Sequence, residues 1–253
     1  MPAVAETLQH RIAQLEPHFT VTRPDGKGPF PVLIMLHGCG GPRPFLDDMA
    51  QVAVRAGAAV INVDSFAHRH ISRIAAFATV CTGARLQGNE RAGDLYAALA
   101  WARAQPWADA HRIAAIGWSH GGWTIMDALA LHSGAEMARA TGISDLPDEP
   151  LEGLEAALLV YPYTGVGTLC GRREWRFTPR QTVAIIAQRD YIVGSSRAAL
   201  ERQRSHGAPM QILLFENATH AFEDEFAEDP RVRYNPQATA REHATLREMI
   251  EAL

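Results

Sequence analysis

Three cysteines are all the chain has, and no two of them stand in C-x-x-C spacing. Cys39, Cys81 and Cys170 are too few and too scattered for a disulfide framework or a zinc site. All three are therefore expected as reduced thiols, and neither a metal nor a cofactor is expected. Excess positive charge is missing too. The formal net charge is −4 and no block of lysine or arginine stands out, which excludes the electrostatic footprint of a nucleic-acid partner. The longest apolar runs, such as 32–36 and 156–161, are far too short to cross a bilayer. The opening stretch MPAVAETLQHRIAQLEPH has an early acidic residue and no long apolar core, so it does not read as a secretory signal. A cytoplasmic protein without membrane contact is the expectation. Repeats, low-complexity segments and domain linkers are absent as well.

What remains is 253 residues that are 47% hydrophobic and 21% charged, enough for one large core and one domain spanning 1–253. Short apolar runs alternate with longer helical patterns. Strands are predicted at 19–22, 32–36, 59–63, 113–116, 157–161, 183–187 and 211–215. Helices are predicted at 46–56, 90–104, 123–131, 195–206 and 237–252, with another near 4–15. Several strands read as unbroken hydrophobics, as a parallel sheet covered by helices on both faces requires. The fold class is α/β.

The informative stretch is RIAAIGWSHGGWTIMDALAL, residues 112–131. Gly117-Trp118-Ser119-His120-Gly121 fits G-x-S-x-G, with a strand before it and a helix after it. Glycines belong there because side chains two residues either side of the serine would clash in so tight a turn. The following helix directs its positive end at the serine, where an oxyanion would form. Ser119 is the candidate nucleophile.

A serine hydroxyl needs a base, and the base needs an acid to orient it. Functional groups of a parallel sheet gather beyond the carboxyl ends of its strands. His220, in QILLFENATHAF, lies shortly after the last strand and is the candidate base. His206 precedes that strand, roughly 17–20 Å away at the wrong end of the sheet. His10 and His243 fall in the first and last helices, and His120 would point away from its neighbour. Asp190, just past the preceding strand in TVAIIAQRD, is the candidate acid, with Glu216 as the alternative. The turn His37-Gly38-Cys39-Gly40-Gly41 closes the second predicted strand. The amides of Cys39 and His120 are the candidate oxyanion donors, Gly38 being the alternative to Cys39, and His37 would prop the loop.

Together, LHGCGG, VDSFAHR, ERAGDLYAALAWA, RIAAIGWSHGG, YPY, QRD and THAF make the chain, from about Phe30 onward, resemble the dienelactone hydrolase family of the α/β-hydrolase fold. The resemblance implies a mostly parallel central sheet with helices on both faces. It also implies the order Ser119, Asp190, His220 for the triad. Two positions depart from the family pattern. Ser119 replaces the cysteine nucleophile of the founding enzymes, and His37 stands where they carry a glutamate. A serine esterase of the same family is the expectation.

Residues 62–88 follow a strand end and would border the pocket. Arg69 there is a candidate ligand for an anionic part of the substrate, unless it braces the loop through Asp64. Asp64 itself would cap that loop, and Arg91 with Asp94 would form a structural ion pair. His68 and His70 lack the carboxylate neighbours that a metal site needs. Tyr163 and Trp175 are candidate pocket walls. The leading expectation is a serine hydrolase of small carboxylic esters or lactones. The alternatives are a peptidase on the same triad and a non-catalytic binding module of the same fold.

Overall fold

The structure, a computed structural model, describes residues 5–253. Seven strands form one sheet in the order β1-β3-β2-β4-β5-β6-β7. They are β1 (Phe19–Thr22), β2 (Phe30–Leu36), β3 (Ala59–Val63), β4 (Ala108–Trp118), β5 (Leu154–Val160), β6 (Gln181–Ala187) and β7 (Met210–Phe215). β1 runs antiparallel to β3 at one edge, and every other neighbouring pair is parallel. All seven predicted strands are present, most of them longer at the amino end than their apolar cores.

Strand periodicity divides the core between two layers. Val32, Ile34 and Leu36 join Ala115, Leu159 and Ile186 on one face. That face is covered by α1 (Leu8–Leu15), α4 (Gly88–Arg103), α5 (His120–Ala130) and α7 (Arg197–Ser205). Leu33 and Met35 join Ile116, Leu158 and Ile185 on the other, beneath α2 (Phe45–Arg55) and α8 (Pro236–Glu251). Because both faces are buried, β2 reads as VLIML without polar alternation. Thr7 caps α1, its side chain accepting from His10 N–H at 3.2 Å. Val4, the first residue of the expected opening helix, lies outside the described residues.

Two short helices, α3 (Arg73–Thr79) and α6 (Ala135–Thr141), complete the set, and the sequence did not announce them. α3 is held by a satellite cluster of Phe66, Ile71, Ala76, Val80 and Leu86. It leaves Ile74 and Phe77 exposed, so its apolar pattern does not read as one buried stripe.

One expectation is overturned here. Cys39 and Cys81 are not reduced thiols but form a disulfide, bridging a sequence separation of 42. Only Cys170 is a free thiol, buried in the core, where burial pushes its pKa up to about 11. A sequence separation of 42 hides the pairing from any local spacing rule. Among the described residues, no helix is long and apolar enough to cross a membrane.

Candidate active site

β4 delivers Ser119 into a tight turn at its carboxyl end. Its backbone sits at φ 51° and ψ −106°, a region that a non-glycine residue enters only under compulsion. The flanking glycines explain how the chain closes so tightly. A Cβ on Gly117 would collide with the Gly121 backbone, and one on Gly121 would collide with the Leu36 carbonyl. α5 starts at His120, three residues earlier than its apolar pattern suggests, so its amino end meets the serine directly.

β6 and β7 release the other two members beyond their carboxyl ends. His220 Nδ1–H donates to Asp190 Oδ2 at 2.7 Å, and both residues are buried. Asp190 is held in turn by Oδ1, which accepts from the amides of Ile192 and Val193, each at 3.0 Å. With its proton on Nδ1, the imidazole keeps Nε2 as an acceptor. The alternatives fall elsewhere. His206 contacts Glu174 at 3.3 Å, and Glu216 is exposed to solvent.

Ser119 and His220 line one cavity of about 750 Å³, together with the turn that contains Gly38 and Cys39. The turn crowds the serine, since a Cβ on Gly38 would stand 3.7 Å from Ser119 Cβ. Its central peptide is clamped. Gly38 O accepts from His37 Nδ1–H at 2.7 Å and from Gly41 N–H at 3.2 Å. A trans peptide directs its C=O and N–H to opposite sides, so the Cys39 N–H points away from His37. His37 is fully buried between this carbonyl and Ser65 N–H, which donates to Nε2 at 3.3 Å. Burial, aided by Arg91, holds its pKa well below that of a free histidine. It is therefore neutral and a prop.

Two polar clusters back the site. Behind His220, the Tyr161 ring packs at 4.6 Å, and its OH donates to Glu223 Oε2 at 2.8 Å. Trp118 Nε1–H donates to Glu242 Oε1 at 2.9 Å. The other two carboxyl oxygens, Glu223 Oε1 and Glu242 Oε2, are buried with no hydrogen-bond partner, and the two carboxyl groups lie close enough to shift each other's titration. Such closeness favours a proton on one of the two. Burial and the charge of Glu223 push Glu242 well above the usual carboxylate range, so Glu242 carries it.

The second cluster lies behind the Gly38–Cys39 turn. Asp94, fully buried, accepts from Arg11 at 2.7 Å and from Arg69 at 2.8 and 2.9 Å. Burial alone would raise its pKa, but Arg69 and Arg11 outweigh it and hold the carboxylate well below its usual range. Arg91 bonds Ser65, His37 and His120. No direct Arg91–Asp94 bond forms, so the expected pair is replaced by a network.

Arg69 is thus not a pocket residue. Its guanidinium is spent on Asp94 and the Ser65 carbonyl, 2.7 Å away, and it braces the loop through Asp94 where Asp64 was expected. Asp64 does cap the loop, accepting from Phe66 and Ala67 amides at 2.8 and 3.2 Å. Trp175 is likewise no wall. It belongs to the core layer beside Leu200, with its backbone N–H on Gln203 at 3.0 Å. Tyr163 lines the cavity, 5.1 Å from the Trp123 ring. The walls that sequence reasoning missed are Phe77, Val80 and Cys81 on the α3 segment, and Ile192 and Val193 after Asp190. No local signal marked the former, since the Cys39–Cys81 pairing that ties it to the turn spans 42 positions.

Residues 49–136, less than half of the chain, match the model of the prolyl oligopeptidase family. No curated protein is similar enough in sequence to match. Among solved structures, the chain is similar to a dienelactone hydrolase from Anabaena variabilis, at 18% identity and TM-score 0.60, covering 91% of this chain and 89% of that one. It is similar also to a dienelactone hydrolase-like promiscuous phosphotriesterase from metagenomic libraries, at 18% identity and TM-score 0.62, over 93% and 98%. A propionate-bound thermophilic esterase from Thermogutta terrifontis gives 15% identity and TM-score 0.61, over 91% and 89%. With seven strands, a serine elbow and these neighbours, the chain has the α/β-hydrolase fold, and within that fold it resembles dienelactone hydrolases and related esterases.

Proposed function

We propose that the protein is a serine hydrolase that cleaves carboxylic esters or lactones of small molecules through an acyl-enzyme. One observation carries this reading: a carboxylate-oriented histidine, His220 on Asp190, opens onto the same cavity as a serine held at positive φ. Ser119 Oγ attacks the ester carbonyl while its proton passes to His220 Nε2. Charge collects on the carbonyl oxygen, where the amides of Cys39 and His120 and the amino end of α5 receive it. Collapse expels the alcohol, protonated by His220. Water then enters by the same route in reverse and releases the acid.

The cavity's size lies within the range of small-molecule sites. Its walls at Phe77, Val80, Ile192 and Val193 suit an apolar acyl or alcohol group. The Cys39–Cys81 disulfide fits an oxidising compartment better than the cytoplasm. A fluorophosphonate should label Ser119 and abolish hydrolysis of p-nitrophenyl acetate. Labelling that persists in Ser119→Ala would sink the reading.

The prolyl oligopeptidase match favours a second reading, since residues 49–136 include Ser119. A peptidase would turn over anilides and peptides as well as esters. An ester-against-amide panel of equal side chains separates the two.

A further inference from the structure

Arg91, in the first turn of α4, is fully buried yet bonds no carboxylate. Its Nε–H donates to Ser65 Oγ at 2.8 Å. Its Nη1 donates to the His37 carbonyl at 2.7 Å and to His120 Nδ1 at 3.2 Å. Nη2 is buried without a partner. The nearest buried acid, Asp94, is already occupied by Arg11 and Arg69. Three arginines therefore surround one fully buried carboxylate. Among the described residues, Glu6 touches the cluster's edge at Arg11, and Asp64, 3.8 Å from His37, acts on Arg91 at longer range.

Stability does not account for this arrangement. Burying a cation without a contacting anion is costly, and apolar replacements of buried ionic groups are commonly neutral or stabilising. What Arg91 touches is more telling. Each of its Nη1 bonds ends on a residue that sets one oxyanion donor. The His37 carbonyl opens the turn whose next peptide presents Cys39 N–H. Ser65, which Arg91 also holds, supplies the N–H that orients the His37 ring onto Gly38 O. On the other side His120 Nδ1 accepts from Arg91, so Nε2 carries the proton and donates to the Leu86 carbonyl at 2.8 Å. That fixes the side chain of the residue whose own amide is the second donor.

We propose that Arg91 is a positioning residue of the oxyanion hole, aligning both donors through one guanidinium and placing behind them a positive charge that no carboxylate contacts. This rests on the serine-hydrolase reading above. The charge survives burial, because desolvation lowers the guanidinium only to about 10, with Asp94 opposing the fall. Burial and Arg91 together bring His120 to about 3, so it stays a neutral acceptor at working pH. A developing oxyanion gains from the charge, whereas a neutral ester in the ground state gains little.

The test uses the full chain with Arg91→Met and Arg91→Lys, checked for folding by circular dichroism. It reads kcat and KM on p-nitrophenyl acetate, and inhibition by an aryl trifluoromethyl ketone whose serine adduct bears an oxyanion. In Arg91→Met, kcat should fall about 10- to 100-fold with KM little changed, less than the loss of a direct donor can cost. The ketone's inhibition constant should rise by the same factor. Arg91→Lys, which keeps the charge but not the fork, should lose less of both. A folded variant with unchanged kcat overturns the proposal, as does a kcat loss that leaves ketone affinity intact. A rise in KM alone would assign Arg91 to substrate binding instead, against the proposal. If Arg91→Met does not fold, Arg91→Lys decides on the same readouts. Failure of the wild-type Ser119 to react with a fluorophosphonate would remove the hydrolase reading itself, a separate result.

Discussion

The two buried polar clusters differ in the side chains they are built from, arginines in one and carboxyl groups in the other. Behind the Gly38–Cys39 turn, Arg11, Arg69 and Arg91 outnumber the acids they touch. Behind the histidine stand Glu223 and Glu242, two carboxyl groups that burial pushes upward, Glu242 the further, so that the charge this cluster can carry is negative. Under the proposed mechanism the oxyanion of the tetrahedral intermediate would form beside the arginine cluster and the imidazolium beside the acidic one. Each cluster would then be built from charges opposite to the one that develops before it. On that reading the lesson is electrostatic: the dipole that forms during reaction meets one of complementary sense already held by the fold.

The comparison breaks most strongly at Arg69. Arg69→Ala removes two of the three hydrogen bonds on Asp94, leaving a buried carboxylate short of charge. A loss of roughly 3–5 kcal/mol of stability is expected, read as a lower Tm. Activity should drop alike on neutral and carboxylated esters of equal size. A selective loss on the carboxylated ester would restore Arg69 to the substrate. Acid should mimic the defect. Asp94 is held below its usual pKa, so its contribution is present above the unfolded value near 3.9 and lost as pH falls further.

Next in size is the tether of the cationic side. Reducing Cys39–Cys81, or replacing both residues by serine, frees a loop with a sequence separation of 42. The expected cost is about 2–4 kcal/mol. Activity at low temperature should persist, because the proposed mechanism uses the Cys39 amide and not its sulfur. Complete inactivation of a still-folded double serine variant would show that the tether also sets the oxyanion geometry.

The anionic side gives the smallest effect and the opposite pH sign. Glu242 keeps its proton in the folded protein above the pH at which the unfolded chain releases it. Its contribution is thus complete below about 4.5 and declines as pH rises toward the folded value. Glu242→Gln supplies a permanent N–H donor to Glu223 and an oxygen to Trp118. It should match wild type near pH 5 and exceed it by roughly 1–2 kcal/mol at pH 8. Equal destabilisation at both pH values would argue against a proton on Glu242.

Much of the site was legible in the sequence because its signals are local. The elbow is five residues long, and the apolar runs 183–187 and 211–215 end just before Asp190 and His220. Whether the triad works as such awaits the labelling above. The supporting shells were hidden, since their partners lie far apart along the chain. Arg91 reaches His37 across 54 positions and Trp118 reaches Glu242 across 124. No spacing rule connects such residues. Arg69 misled for a related reason: position after a strand end indicates which side of the sheet a residue occupies, but not which neighbour claims its charge. Trp175 misled similarly, since a strand end carries no information on whether an aromatic ring turns inward to the core.

The α3 segment has a consequence for how the molecule can change over generations. Phe77, Val80 and Cys81 form one wall of the cavity, yet none belongs to a strand or to the elbow. The segment rests on its own small cluster and is fastened by one disulfide. Drift in its outward residues therefore meets little resistance from the main core. A lineage can exchange that wall, and with it the shape of the molecules admitted, while Ser119, Asp190 and His220 stay where they are.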